Sequence, residues 1–223
     1  MGSQLSPTER TTVRRGADRS VRERAALHAL LEDALVAHVG VSVDDHPVVL
    51  PVAFAVDLDG PDENGTLYLH GSVAARWLTS AASAVVCVTV TELDGLVVAR
   101  SGFHHSMNYR SAVIIGAARM VTDASEKAHA LALTVDHMVP GRSATLRAPS
   151  RKELAATSVL AVPLEEASMK ERCGGPVDDA ADIEAGVWGG VIPLRRVAGG
   201  AVSGDDSSDD VPADVLARTD ALG

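Results

Sequence analysis

The stretch Leu67-Tyr68-Leu69-His70-Gly71-Ser72, followed by Arg76-Trp77, sets the architecture of this 223-residue chain. Its apolar residues predict a β-strand that stops at a Gly-Ser turn and leads directly into a short helix. Such a turn offers backbone N–H groups, a hydroxyl and the positive end of a helix dipole at one place. This combination predicts an anion site, most commonly for phosphate, and the Arg76 guanidinium is suited to the same anion.

Strands outnumber helices on both sides of this stretch. Runs of apolar and β-branched residues predict strands over 48–56, 85–91 and 96–100, and Asp94-Gly95 predicts a tight hairpin between the last two. Pro51 cannot donate to a strand ladder, so it marks an edge, a bulge or a place where a ligand replaces a neighbouring strand. The pattern favours a small, mainly β (α+β) barrel over a doubly wound sheet.

Helical patterns flank these strands. Ser20 and Glu23 have the spacing of a capping box, and apolar residues at helical spacing extend that helix to about Val36. Asp123 and Glu126 repeat the capping pattern and predict a long helix that ends near Met138.

Composition divides the chain into three parts. Residues 1–20 are polar and arginine-rich without a clear period, so we expect a flexible N-terminal arm. The main domain occupies 21–198. Gly, Ser and Asp dominate 199–223, which predicts a disordered acidic tail.

Overall composition narrows the class of protein. The hydrophobic fraction is 46% with only 3% aromatics, which predicts one core built from Val, Ala, Leu and Ile. The formal net charge of −10 argues against a nucleic-acid partner. No apolar run reaches the roughly 20 residues that span a bilayer, and the first residues lack a signal-peptide core, so no membrane association is expected. Cys87 and Cys173 stand far apart, and a reducing, cytoplasmic location is the simplest interpretation.

Common catalytic signatures do not stand out in the sequence. No P-loop or G-x-G-x-x-G follows a predicted strand, and no Ser-His-Asp order is visible. His104 and His105 are adjacent, so on an extended segment they point in opposite directions. Because no carboxylate or cysteine has a supporting spacing, no metal site is expected.

Seven short motifs follow one another in a characteristic order. They are Ala37-His38-Val39-Gly40, the segments 47–52, 67–72, 86–91, 94–101 and 104–111, and Val187-Trp188-Gly189-Gly190-Val191-Ile192-Pro193. Together they resemble the pyridoxamine 5′-phosphate oxidase-related, FMN-binding split-barrel family. The similarity is greatest to the branch that contains flavin-nucleotide-binding proteins and nitroimidazole reductases.

This resemblance implies a fold, a cofactor and a set of site residues. It implies a homodimer of six-stranded antiparallel split β-barrels with flanking helices, in which FMN lies in two equivalent clefts between the subunits. The implied cofactor-binding residues are Leu50, Pro51, Val52, His70, Gly71, Ser72, Arg76, Tyr109, Arg110, Ser111 and Trp188.

The resemblance also gives these residues separate roles. Gly71, Ser72 and Arg76 correspond to the phosphate site, and the segment 50–52 corresponds to backbone beside the isoalloxazine ring. The segment 109–111 matches a stretch beside the ribityl chain. Trp188 corresponds to a tryptophan that reaches the flavin from the partner chain, or serves as an anchor of the dimer interface. His70 is the candidate catalytic residue, with a local strand-end hydrogen bond as the alternative.

The function that follows is an FMN-dependent oxidoreductase acting on a small organic molecule. Vitamin B6 oxidation is not expected, because the arginine and histidine set of the oxidase proper has no equivalent after Trp188. The alternative is a non-catalytic module that binds flavin, or haem with His38, His70 or His105 as the axial ligand. A deazaflavin cofactor is a third alternative.

Overall fold

A computed structural model describes residues 3–5, 8–207 and 210–223. These residues form antiparallel strands and a few helices. The strands are β1 (Ser20–Val21), β2 (Ala37–Val43), β3 (His46–Val52), β4 (Phe54–Asp57), β5 (Thr66–Ser72), β6 (Val85–Val98), β7 (Ser106–Ala117), β8 (Arg119–Met120), β9 (Thr157–Pro163), β10 (Ala167–Arg172) and β11 (Gly190–Pro193). The helices are α1 (Arg24–Asp33), α2 (Arg76–Ala81), α3 (Ala124–Met138), α4 (Arg151–Ala156), α5 (Ala180–Glu184) and α6 (Ala213–Ala221).

The larger sheet has seven strands in the order β1-β10-β7-β6-β2-β3, and β11 pairs with the far end of β6. One face of this sheet is the core, where Val39, Val88 and Ile114 are fully buried. Residues alternate between the two faces of a strand, so the neighbours of these core residues point to the opposite face. That opposite face is open, and we refer to it below as the open face.

The smaller sheet contains β4, β5, β9 and β8 in that order. Leu67 and Leu69 of β5 are fully buried in the shared core, together with Leu30 and Leu31 of α1. On the other side of β5, Tyr68 belongs to a second cluster that includes Ala130 of α3. Strand β5, which residues 67–72 predict, is therefore buried on both sides, against the shared core and against α3.

The mainly β class and the antiparallel arrangement agree with the sequence-based prediction. The strand count and the closure of the expected barrel do not: the larger sheet alone has seven strands. Its two edge strands, β1 and β3, do not pair with each other within the described residues, so this sheet is not closed.

No helix among the described residues is long and apolar enough to cross a membrane.

The predicted tight hairpin at Asp94-Gly95 is wrong. β6 runs continuously from Val85 to Val98 and has an irregularity between Leu93 and Gly95. Strand β11 packs over this point: a Cβ on Gly95 would lie 3.1 Å from the carbonyl oxygen of Ile192. Here Asp-Gly produces a bulge that accommodates a strand from much later in the chain.

The predicted long helix near Asp123 is confirmed. Asp123 caps α3 by accepting a hydrogen bond from the Glu126 backbone N–H at 2.8 Å, and the helix ends at Met138. The earlier helix begins at Arg24 rather than just after Ser20. Ser20 is a strand residue that pairs with Lys170 of β10, and this pairing prevents it from acting as a helix cap.

Both terminal segments contact the domain where they are described. In the segment expected to be a flexible arm, Leu5 is buried and Arg10 pairs with Glu166 at 2.5 Å. In the segment expected to be a disordered tail, the structure contains helix α6. Arg218 of this helix donates to the carbonyl oxygen of Met138 at 2.8 Å.

Candidate functional site

The predicted phosphate turn lies between β5 and α2. Its backbone N–H groups are largely engaged: that of Val73 donates to the Ala156 carbonyl, and that of Ala75 donates to the Ser72 carbonyl. The Ser72 hydroxyl accepts from the Ala74 N–H at 3.2 Å. The Leu78 N–H at the start of α2 is also engaged, since it donates to the Ala75 carbonyl, so the anion-binding capacity of the turn comes mainly from Arg76.

Arg76 is paired with Asp44, which lies in the turn between β2 and β3. The two side chains are 74% and 59% exposed. An ion pair this exposed is worth about 0–1 kcal/mol. The free-energy cost of replacing the Asp44 carboxylate by a phosphate at Arg76 is therefore small.

The open face of the larger sheet carries three further predicted site residues. Pro51 of β3 stands opposite His38, Ser111 of β7 stands opposite Thr91, and Tyr109 stands opposite Leu93. The row beside Pro51 contains Val49, Gly40, Cys87 and Ile115 on four consecutive strands. Val49 is 64% exposed in the single chain. This row is thus apolar, and the face that carries it is uncovered in the single chain and continuous with the predicted site.

Leu50, Val52 and Arg110 point away from the open face. Leu50 and Val52 pack against the core. Arg110 donates to the carboxylate of Asp94 at 3.1 and 3.0 Å and to that of Asp33 at 2.9 Å. These hydrogen bonds raise the pKa of Arg110 and tie β7 to the end of α1.

Within one chain, Trp188 lies far from Pro51. It precedes β11, where Gly190 pairs with Val98 at the end of β6, whereas Pro51 lies level with Thr89. Nine residues along β6 correspond to about 30 Å at ~3.3 Å per residue. Trp188 is 64% exposed, so it is available to a second chain.

His70 lies at the edge of a partly open cavity on the α3 side of β5. Its Nδ1 atom is buried and has no hydrogen-bond partner among the described residues. Burial lowers the pKa of His70, so the imidazole is neutral at pH 7. A neutral imidazole with a free lone pair is the form that binds a metal ion.

The space beside His70 is a cavity of about 370 Å³. The α3 residues that line it are mostly apolar: Ala128, Leu131, Ala132, Thr134, Val135 and Met138. The segment after α3 forms the opposite wall with Ser143, Leu146, Arg147, Ala148 and Pro149, and Thr157 completes it. Because the walls are mainly apolar, His70 is the principal nitrogen donor that the cavity offers a ligand.

The other histidines considered from sequence occupy different surroundings. His38 lies on the open face opposite Pro51 and Thr89. His104 approaches the Asp179 carboxylate at 3.5 Å, and His105 contacts the Ser101 carbonyl oxygen at 2.9 Å. No group of three or more His, Cys, Asp or Glu side chains suited to a metal ion occurs in the part of the chain that the structure describes.

Sequence reasoning missed the cavity. One signal was present: residues 128, 131, 132, 135 and 138 form an apolar stripe at helical spacing along α3. The stripe indicates a buried face but does not say what it faces. The opposite wall is an irregular exposed segment, which no periodic pattern predicts.

Because several histidines are partly buried, we expect the protein to lose stability in mild acid. Burial lowers the pKa values of His28, His70 and His137 below the ordinary 6.5, and Arg24 lowers that of His28 further. The unfolded chain therefore binds more protons below about pH 6.5. The free energy of unfolding is expected to be constant above that pH and to fall below it, by up to about 1.4 kcal/mol per pH unit for each histidine. Urea unfolding followed from about pH 7.5 to about pH 5 measures this, and a pH-independent midpoint over that range would contradict it.

Comparison with known proteins shows which family the chain belongs to. The family model described as pyridoxamine 5′-phosphate oxidase matches residues 23–171. The structure of the flavocytochrome Anf3 from Azotobacter vinelandii is 34% identical, with 96% of this chain and 98% of that chain covered and a TM-score of 0.87. The structure of the FAD and haem binding protein from Mycobacterium smegmatis is 38% identical, with 90% and 97% covered and a TM-score of 0.82. A search of curated proteins found no match.

The family model spans most of the two sheets, from just before α1 to the end of β10. The two related structures extend the similarity to nearly the whole chain. The family predicted from the seven sequence motifs is therefore confirmed, and this chain belongs to the pyridoxamine 5′-phosphate oxidase family.

Proposed function

We propose that this chain is a redox protein that binds a flavin at the open face and haem in the cavity beside His70. The observation that carries the proposal is the neutral, unpartnered imidazole of His70 at the edge of an apolar cavity. Two relatives above 30% identity support it, one described as a flavocytochrome and the other as an FAD and haem binding protein.

The residues around His70 suit haem. Haem is a large apolar ring whose iron takes an imidazole nitrogen as an axial ligand. His70 provides that nitrogen, and Leu131, Val135 and Met138 provide apolar surface for the ring. Arg147, on the same wall as Leu146, forms an exposed ion pair with Glu153 and would exchange that carboxylate for a propionate group at a small free-energy cost.

The residues around Arg76 suit the phosphate of a flavin. Arg76 would exchange Asp44 for the phosphate, which costs little because their ion pair is exposed. Gly71 is close to α2: an added Cβ would lie 2.9 Å from Leu78 Cδ1. A larger residue at Gly71 would displace the Leu78 side chain, so glycine allows the turn to pack closely against α2.

We further propose that the open face is covered by a second copy of the chain. The row through Val49, Cys87 and Ile115 offers apolar surface, and Pro51, Tyr109 and Ser111 continue it. A homodimer would bury this surface with the flavin between the two chains. It would also allow the partner subunit's Trp188 to approach a flavin that its own chain cannot reach.

The proposed flavin is FAD, since that is the flavin named for the 38% identical relative. FMN, the expectation from sequence, is the alternative, and both contain the phosphate that Arg76 would bind. A flavin supplies one- and two-electron chemistry and haem supplies one-electron chemistry. The chain would act as an oxidoreductase for a small molecule, and its own residues would hold the two cofactors and keep water from them.

The cofactor content of the purified protein tests this proposal. We expect one flavin per chain, released by acid and identified as FAD or FMN by its mass. After expression with added hemin, we also expect one haem per chain with a Soret band. A colourless protein that binds neither added flavin nor added hemin would contradict the proposal.

A further inference from the structure

The cavity beside His70 is closed on one side by an exposed segment of the chain. We refer to the residues Arg142–Ser150 as the strap. Strap residues Ser143, Leu146 and Pro149 face the cavity, whereas Leu146 is still 48% exposed. A segment with so little buried apolar surface is held mainly by polar contacts and opens readily when these are lost.

The strap is tied at both ends to neighbouring helices. Near its start, the Asp136 carboxylate of α3 accepts from the Ser143 N–H at 2.7 Å and from the Ser143 hydroxyl at 2.6 Å. Near its end, Arg147 donates to Glu153 of α4 at 2.8 Å. These ties fix the two ends of the strap relative to the cavity.

Helix α6, which lies near the C-terminal end of the sequence, makes a further contact with the strap. Asp214 pairs with Arg142, the first strap residue, at 3.4 Å, and the two side chains are only 16% and 31% exposed. Arg218, one turn further along α6, donates to the carbonyl oxygens of Met138 at 2.8 Å and of His137 at 3.5 Å.

The contact of Arg218 stabilises the wall opposite the strap. The last carbonyl groups of a helix have no partner within it, and a positive charge there also complements the helix dipole. Met138 is the last residue of α3 and lines the cavity. Helix α6 therefore contacts both walls of the cavity, through Asp214 to the strap and through Arg218 to α3.

Helix α6 itself is weakly attached. None of its residues is buried, so its docking depends on a few polar contacts. It also lies outside residues 23–171, which the family model matches. These properties suit an element that can undock while the two sheets stay folded.

We propose that helix α6 is a latch that holds the strap closed over the His70 cavity and so slows exchange of its ligand. This inference rests on the proposed function for the identity of that ligand as haem. With α6 docked, the Asp214–Arg142 pair and the Arg218 contacts keep the two walls together. When α6 undocks, both contacts are lost at once, and the strap is then held only by its contacts with Asp136 and Glu153 and opens more often.

The rate of hemin release tests the latch. The test variant combines Asp214→Asn with Arg218→Ala, which removes both contacts and leaves the His70 cavity unchanged. The matched control is Asp220→Asn, on the same helix, because the Asp220 side chain makes no hydrogen bond within the described residues. Transfer of hemin from the holo-protein to excess apomyoglobin should be about tenfold faster for the test variant. It should match the wild type for the control.

A second readout separates failure of the latch from failure of the proposed function. Amide hydrogen exchange of residues 142–150 needs no ligand, and it should be about tenfold faster in the test variant of the cofactor-free protein. Wild-type rates for hemin transfer in that variant would overturn the latch while the proposed function stands. If the wild type binds no hemin, the proposed function fails, and exchange at wild-type rates would then overturn the latch separately.

Discussion

Replacement of His70 by alanine should remove the Soret band from protein prepared with hemin. The substitution deletes the nitrogen that we propose as the axial ligand, so hemin should bind at least about 100-fold more weakly. The fold should tolerate the change, because no side-chain hydrogen bond of His70 is lost among the described residues and its buried Nδ1 has no partner. Hemin titration followed by absorbance gives the two dissociation constants.

Two controls make the His70 result specific. His38→Ala and His105→Ala should keep the Soret band, because His38 lies on the open face and His105 lies in an exposed loop. Added imidazole should restore the band in His70→Ala, because the free ligand fits the space that the side chain leaves. A full Soret band in His70→Ala without imidazole would rule out this ligand.

Val49→Glu should separate the proposed homodimer and lower its flavin content. Val49 is 64% exposed in the single chain, so the glutamate is solvated there and the fold is kept. In a two-fold interface both copies would bury the new charge, and an unpaired buried charge costs about 3–5 kcal/mol. The dimer should therefore dissociate at least about 100-fold more readily.

Light scattering coupled to size exclusion measures this effect. The wild type should have twice the 23.1 kDa mass of one chain, and Val49→Glu should have the mass of one chain and less flavin. Val202→Glu is the matched control, because Val202 is 94% exposed in the C-terminal tail, away from the open face. An unchanged dimer in Val49→Glu would show that this face is not the interface.

Sequence patterns predicted the structure correctly where it depends on residues that are close together in the sequence. The strand through His70 and the turn after it follow from local alternation and a Gly-Ser pair. The Asp123 cap of α3 follows from a contact three residues along the chain. The family followed from the order of several such local motifs.

The same patterns failed where distant segments decide the outcome. Asp94-Gly95 has the composition of a tight turn, yet β11 packs across it and makes it a bulge. Ser20 has the spacing of a helix cap, yet β10 recruits it into a sheet. For Arg110, whose guanidinium is held by Asp33 and Asp94, the expected contact with a flavin stays a prediction.

In the candidate site too, features set by nearby residues could be predicted and features set by distant segments could not. The phosphate turn could be proposed because Gly71, Ser72 and Arg76 are close in sequence. The cavity could not be predicted, because it forms where His70, α3 and the strap meet, and α3 begins more than 50 residues after His70. Helix α6 was not predicted because the residues around it are acidic and rich in Gly and Ser. Its docking depends on contacts with Arg142 and Met138, which are distant in sequence.

The position of iron in crystals of the protein prepared with hemin tests the central claim most directly. An anomalous difference map measured at the iron absorption edge should contain one peak per chain, at bonding distance from an imidazole nitrogen of His70 and inside the cavity lined by α3 and the strap. A peak beside His38 or His105, or no iron at all in protein that still binds flavin, would contradict the account.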